Sequence, residues 1–240
     1  RKITVEFANE FLKDTVAHAK QVALGVILFI LSPVVLVTLS LFSEANLHDL
    51  TANQYGILGT ITVIIMVVIG VGILIASASK MSRYQFLESE TFDIQFGVEG
   101  MVLDAKARYK DTHTKGLIIG VSMLILSVIP VLLSSVFGIF KTLGVPGLLI
   151  MVALGVYILI RVSVKWAAFE KLLQEGEYNP RTKNKNDIVG TVAGIYWPLV
   201  VAGYLLWSFI GSAWHISWVV FPIAGILFGA ISTLLDHFNS

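Results

Sequence analysis

The chain has no cysteine among its 240 residues. That excludes disulfides, thiolate zinc sites and cysteine nucleophiles together. Charge is scarce as well: 14% of residues are Asp, Glu, Lys or Arg, where a soluble domain has about 25%. A net charge of +1 leaves no general basic surface for nucleic acid. No ionisable side chain lies deep within any long apolar run. Arg161 comes nearest, close to the end of one, where its stem lets the guanidinium snorkel to water. Proton- and sodium-coupled carriers usually keep ionisable groups near the bilayer midplane, so this scarcity weighs against a coupled transporter. The HExxH and GxSxG motifs and a phosphate-binding glycine loop are missing, which argues against an enzyme.

What is present is apolar. Hydrophobic residues make up 56% of the chain and the mean hydropathy is +0.82. The composition is that of an integral membrane protein. Crossing the hydrocarbon core takes about 20 apolar residues, and six runs are expected to do so: 21–42, 56–79, 116–140, 147–164, 189–210 and 216–235. Residues 1–20 carry Ile3, Phe7 and Phe11 at helical spacing and read as an amphipathic cytoplasmic lead-in helix. Such a helix lies on the membrane surface or leads in from a preceding domain, and the surface arrangement is the expected one. It has no apolar core of its own and so does not read as a cleavable signal. Residues 80–115 and 165–188 are polar connections, the first with an apolar-periodic piece near 96–109, and residues 236–240 form a tail.

Of the 17 Lys and Arg residues, only Lys141 falls between runs on the face opposite to all the others. The positive-inside rule then puts both termini and the two long connections in the cytoplasm. An internal repeat agrees with this. GVILFILS at Gly25–Ser32 matches GVSMLILS at Gly120–Ser127, and GVGILI at Gly70–Ile75 matches GVYILI at Gly155–Ile160. His18 and Lys20 match His113 and Lys115 at the first spacing; Lys80 and Tyr84 match Lys165 and Phe169 at the second. A same-orientation repeat needs an even number of spans per unit. The expected fold is all-α and polytopic, six spans arranged as three parallel-repeated hairpins: 21–79, 116–164 and a diverged third, 189–235.

Several features could carry function. Trp207, Trp214 and Trp218 surround a short break that holds His215, and Trp prefers a membrane-water interface. Tyr196, Trp197, Tyr204 and Trp207 lie on the fifth run, with Tyr196, Gly203 and Trp207 close to one helical face. They are candidates to line a pocket for a hydrophobic or amphipathic ligand, and packing explains them equally well. Pro33, Pro130, Pro198 and Pro222 are read as tolerated rather than as hinges. Gly116/Gly120, Gly190/Gly194 and Gly225/Gly229 have the spacing of close helix contacts, expected inside the monomer. Glu44, His48, Asp49 and His215 are loop residues without metal-ligand spacing, and no metal or cofactor is expected. Glu88/Glu90 and Glu175/Glu177 are read as solvated charges.

GIYWPLVVAGYLLWSFIGSAWHISWVVFPIAGILFGAI at Gly194–Ile231, GVILFILSPV at Gly25–Val34 and KLLQEGEYNP at Lys171–Pro180 resemble the C-terminal membrane region of bacterial membrane-bound XRE-type helix-turn-helix regulators. The resemblance covers nearly the whole chain, and the Tyr-Trp-His-Trp-Pro run is its most specific part. It implies a membrane-anchoring and signal-sensing domain in a bacterial cell membrane, crossing it several times. A DNA-binding domain would lie upstream in the same polypeptide, in keeping with a chain that opens on Arg1 rather than Met. The residues present here would make no direct nucleic-acid contact. The alternative is a small permease-like or transporter-associated subunit handling a hydrophobic substrate. A membrane scaffold would instead use the lipid-facing hairpins to hold a membrane-protein partner.

Overall fold

A computed structural model describes residues 2–44, 51–137, 143–211 and 214–238, without the side chains of 41–44, 137, 181–187, 215 and 235–238. His48, Asp49, Lys141, the side chains of Glu44 and His215 and the last tail residues lie outside the described residues. The described chain is helical apart from two short strands. Five helices are long and apolar enough to cross a membrane, and a sixth apolar helix, Val220–Leu234, is shorter. At most 17% of any of the five apolar windows is buried inside the chain. Exposed Ile, Leu, Val and Phe in that number are expected only where lipid replaces water. This is a helical membrane protein.

Two compact units make up the chain. The first begins with β1 (Lys2–Ile3) and α1 (Val5–Glu44), followed by α2 (Ala52–Met81), which opens on a Thr51/Gln54 capping box. A 3-10 turn (Ser82–Tyr84) and α3 (Phe86–Ser89) lead to β2 (Asp93–Ile94), with Glu88–Thr91 belonging to the second unit. Then come α4 (Val98–Leu126), α5 (Ile129–Phe137) and α6 (Gly144–Leu173). The two strands pair in parallel, Lys2 opposite Asp93 and Ile3 opposite Ile94. The chain therefore enters α1 and α4 running the same way. Within this unit α1 packs on α2 and α6, and α4 and α5 pack on α6. The second unit holds a 3-10 turn (Gly176–Tyr178), α7 (Pro180–Ile210), α8 (Trp214–Ser217) and α9 (Val220–Phe238), with α7 against α9.

The helices overrun the expected spans. Residues 5–20 and the first apolar run form one continuous helix, α1, rather than a separate lead-in helix. Its early apolar face is buried: Ala8 and Phe11 join Tyr84, Leu87, Val98, Val102, Phe169 and Leu172 in a core at the polar ends of the helices. That burial removes the reason for the helix to lie on lipid. Likewise α4 begins inside the expected 80–115 connection and α6 continues to Leu173, because their apolar faces enter the same core. Pro180 is the first residue of α7, where its missing N–H costs nothing.

Proline acts differently at two sites. Before Pro130 the third run breaks: α4 ends at Leu126, four residues back, where the proline ring would strike the helical carbonyl. Pro33 stays inside α1. The carbonyl it deprives of an N–H is that of Phe29, and Ser32 Oγ donates to that oxygen at 2.9 Å. The last expected span, 216–235, is not one helix either, since a turn at Trp218–Val219 separates α8 from α9.

Close helix contacts rest on glycine. A Cβ on Gly70 would lie 2.6 Å from Phe29 and 3.1 Å from the Gly25 carbonyl; one on Gly120 would lie 2.6 Å from Leu159 and 3.1 Å from the Gly155 carbonyl. Gly116 likewise faces Val162. By contrast Gly190, Gly194, Gly225 and Gly229 have no described atom within 4 Å of a Cβ. Only the first of the three expected glycine pairs packs inside the described chain. Gly72 also faces open space. Gly70→Val is therefore expected to lower the melting temperature in detergent well below that of Gly72→Val, an overpacking cost of about 1–3 kcal/mol. Equal melting of the two variants would contradict the contact.

Candidate functional site

Near the polar ends of the first unit, three helices leave a cleft of about 330 Å³. Val16 and Ala19 line it from α1, and Tyr109 and Thr112 from α4. From α6 come Tyr157, Arg161 and Lys165, with Ile158 and Val162 beside them. Tyr157, Arg161 and Lys165 recur every four residues, so they form one stripe rising about 12 Å along α6. Lys165 Nζ sits 4.1 Å from the centre of the Tyr109 ring. The Arg161 guanidinium lies 5.5 Å from the Tyr157 ring centre and donates to its hydroxyl at 3.4 Å. Among the described residues no carboxylate forms an ion pair with Arg161 or Lys165. A second opening of about 400 Å³ adjoins the cleft, sharing Val16, Tyr109 and Lys165 and adding Lys13 and Arg108. The groove thus has a cationic, aromatic rim above an apolar wall.

Two other cations in this unit, Arg83 and Lys106, face carboxylates. Arg83, just after α2, reaches Glu10 at 3.0 Å and also pairs with Asp14, both on α1. The Tyr84 hydroxyl donates to the same Asp14 carboxylate at 2.8 Å. The charged side chains of Arg83, Glu10 and Asp14 are 38–57% exposed, so water screens them and the cluster acts mainly to fix the register of α1 against the end of α2. His18 Nδ1 and Ser77 Oγ share a hydrogen bond of 2.6 Å, again between α1 and α2. On α4 and α6, His113 stacks on Trp166 with centres 4.5 Å apart, Trp166 donates to Glu170, and Lys106 lies 3.9 Å from Glu170.

The aromatic residues singled out in the second unit form two groups. Tyr196 and Trp197 pack on Phe228 of α9, and the Tyr196 hydroxyl donates to the Ala224 carbonyl at 2.8 Å. Tyr204 contacts Trp214 and Phe221. Trp207, Trp214 and Trp218 are about half exposed, at 48%, 50% and 58%. The side chain of His215 lies outside the described residues. Ser208 and Ser217, both fully buried, bond to each other at 2.7 Å and hold the helix ends together. These contacts explain Tyr196, Trp197 and Tyr204 as the packing of α7 on α9. The groove of the first unit was signalled in sequence only by Arg161 near the end of an apolar run; its partners come from three separate helices.

No family profile matches the chain, and neither a curated protein nor a solved structure shows significant similarity to it.

The exposure of the tryptophans has a measurable consequence. In single-tryptophan variants reconstituted with brominated lipids, Trp207, Trp214 and Trp218 are expected to be quenched strongly, and most by labels near the headgroup. Trp166, half-buried against His113, is expected to be quenched least. Equal quenching at all positions would contradict this arrangement.

Proposed function

We propose that this chain is the membrane-anchoring and signal-sensing domain of a membrane-bound transcriptional regulator, with its DNA-binding domain upstream. The observation that carries the reading is α1. It runs unbroken from Val5 to Glu44, so the segment buried among the polar ends and the segment in the apolar layer are one rigid rod. A change of packing in the bilayer would tilt or shift that rod, and whatever precedes Val5 would move with it. The resemblance to XRE-type regulators supplies the identity of the upstream partner. Signalling further requires that the signal bind two packing states with different affinity.

The topology belongs to the same proposal: six spans in three repeated hairpins, in a bacterial cell membrane, with both termini cytoplasmic. The glycine contacts support the repeat. Gly25 meets Gly70 and Gly120 meets Gly155, and these are the positions that the two sequence matches make equivalent. Parallel pairing of β1 with β2, each leading into a long helix, supports a same-orientation repeat. The concentration of Lys and Arg on one side supports the orientation.

A permease-like or transporter-associated subunit is the second reading, favoured by the apolar wall and cationic rim of the groove. Sequencing the N-terminal peptides of the native protein separates the two. A helix-turn-helix domain joined to α1 is expected. In that protein Val22→Pro, which breaks the rod, is expected to abolish signal-dependent reporter expression while leaving membrane insertion intact. A short leader with nothing folded would favour the permease reading, and a reporter showing either terminus outside would sink the topology.

A further inference from the structure

We infer that the groove between α1, α4 and α6 binds the phosphate headgroup of an anionic phospholipid. Arg161 and Lys165 stand one helical turn apart on α6 with no carboxylate partner among the described residues. The polar contact of Arg161 is to Tyr157 of its own helix, at 3.4 Å. That leaves most of the guanidinium's five donors for another acceptor. The Tyr109 and Thr112 hydroxyls line the same opening. Two cations and two hydroxyl-bearing residues give the opening several donors for the anionic oxygens of a phosphate ester.

The apolar half selects a lipid over a free phosphate ester. Below the cations the cleft is walled by Ile158, Val162, Val16 and Ala19. Beyond them α6 continues into an apolar stretch whose outward residues, such as Leu154, are exposed. An acyl chain attached to the bound phosphate would run down that surface past the Tyr157 ring, whose hydroxyl accepts from Arg161. Basic pockets between membrane helices at the cytoplasmic leaflet, where anionic lipids concentrate, suit such headgroups. The inference therefore rests on the membrane orientation proposed above, and is independent of whether the chain serves a regulator or a permease.

The test is native mass spectrometry of the full chain in mild detergent, titrated with phosphatidylglycerol or with phosphatidylcholine of the same acyl chains. Preferential retention of phosphatidylglycerol is expected. Arg161→Gln with Lys165→Gln is expected to lower it to the phosphatidylcholine level, about fivefold per cation. Lys110→Gln with Lys115→Gln, which removes the same charge from exposed positions of α4, is expected to leave it unchanged. Equal loss in both double variants would overturn the site, as would glycerol 3-phosphate displacing the lipid at equal concentration, the mark of a free-phosphate site. Should the first double variant aggregate, Ile158→Trp fills the apolar half and keeps both cations; undiminished retention there overturns the proposal. Equal retention of both lipids by the unaltered chain rejects this site alone. A chain that stays soluble without detergent and holds no lipid rejects the membrane reading beneath it.

Discussion

Backbone meets backbone where α1 crosses α2 at Gly25 and Gly70, and where α4 crosses α6 at Gly120 and Gly155. In lipid there is no hydrophobic force between helices, so association depends on close packing and on hydrogen bonds. Any side chain at these positions would strike a carbonyl or a ring and push the rods apart. The consequences travel along the rods. His18 is seven residues before Gly25 and Ser77 seven after Gly70, so in an antiparallel pair the two come level, about 10 Å from the glycine contact. Their 2.6 Å hydrogen bond depends on that register. In the second pair Gly116 meets Val162 by the same logic, and the His113–Trp166 stack lies a turn beyond. A displacement at the glycines would misalign every contact above them, including the buried core around Phe11, Tyr84 and Phe169.

The same residue types do two jobs along one helix. Near the polar ends, Phe11, Leu87, Val102 and Leu172 are 0–2% exposed and form an ordinary water-excluding core. Farther along, Ile64, Val68, Ile125 and Leu132 are more than half exposed. In water the second set would be an aggregation surface; in lipid it needs no cover. Buried hydroxyls are mostly paired; among the described residues Thr15 and Tyr55 are the hydroxyl side chains left without a partner. All six buried serines have a hydrogen-bond partner: Ser32, Ser127 and Ser134 a backbone carbonyl, Ser77 a histidine, Ser208 and Ser217 each other. Without water, an unpaired hydroxyl in such a setting would be costly.

Much of this was legible in the residues. Hydropathy marks the apolar runs, because the length needed to cross lipid is fixed by helix rise. The Gly25, Gly70, Gly120 and Gly155 positions were visible inside the matched segments, though not that each faces another. What was hidden is the continuation of the helices past the apolar runs. Residues 1–20 and 96–109 look like separate amphipathic pieces because their apolar stripes are narrow and set among charges. Those stripes are narrow because they bury against one another, and pairing between distant segments leaves no local signal. The break before Pro130 and the continuity through Pro33 were equally hidden, since both lie in apolar runs with a serine nearby. The groove escaped for a related reason: Tyr109, Tyr157 and Val16 look like packing residues until three helices bring them to one opening.

That opening has one property relevant to any signal. Val16 and Ala19 form its α1 wall, and α1 is the rod that follows β1 at the start of the described chain. The opposite wall is α6, which packs against both α1 and α4. Whatever occupies the space contacts the rod and its support together, so it favours the separation at which both contacts are good. A ligand that fits one separation better than another shifts the balance between them by the difference in binding free energy, and by no more than that. The glycine contacts hold α1 to α2 on one side while the groove leaves its other side partly open. The His18–Ser77 and Asp14–Tyr84 bonds tie α1 to α2 and the turn after it, so a shift of α1 alone would break them.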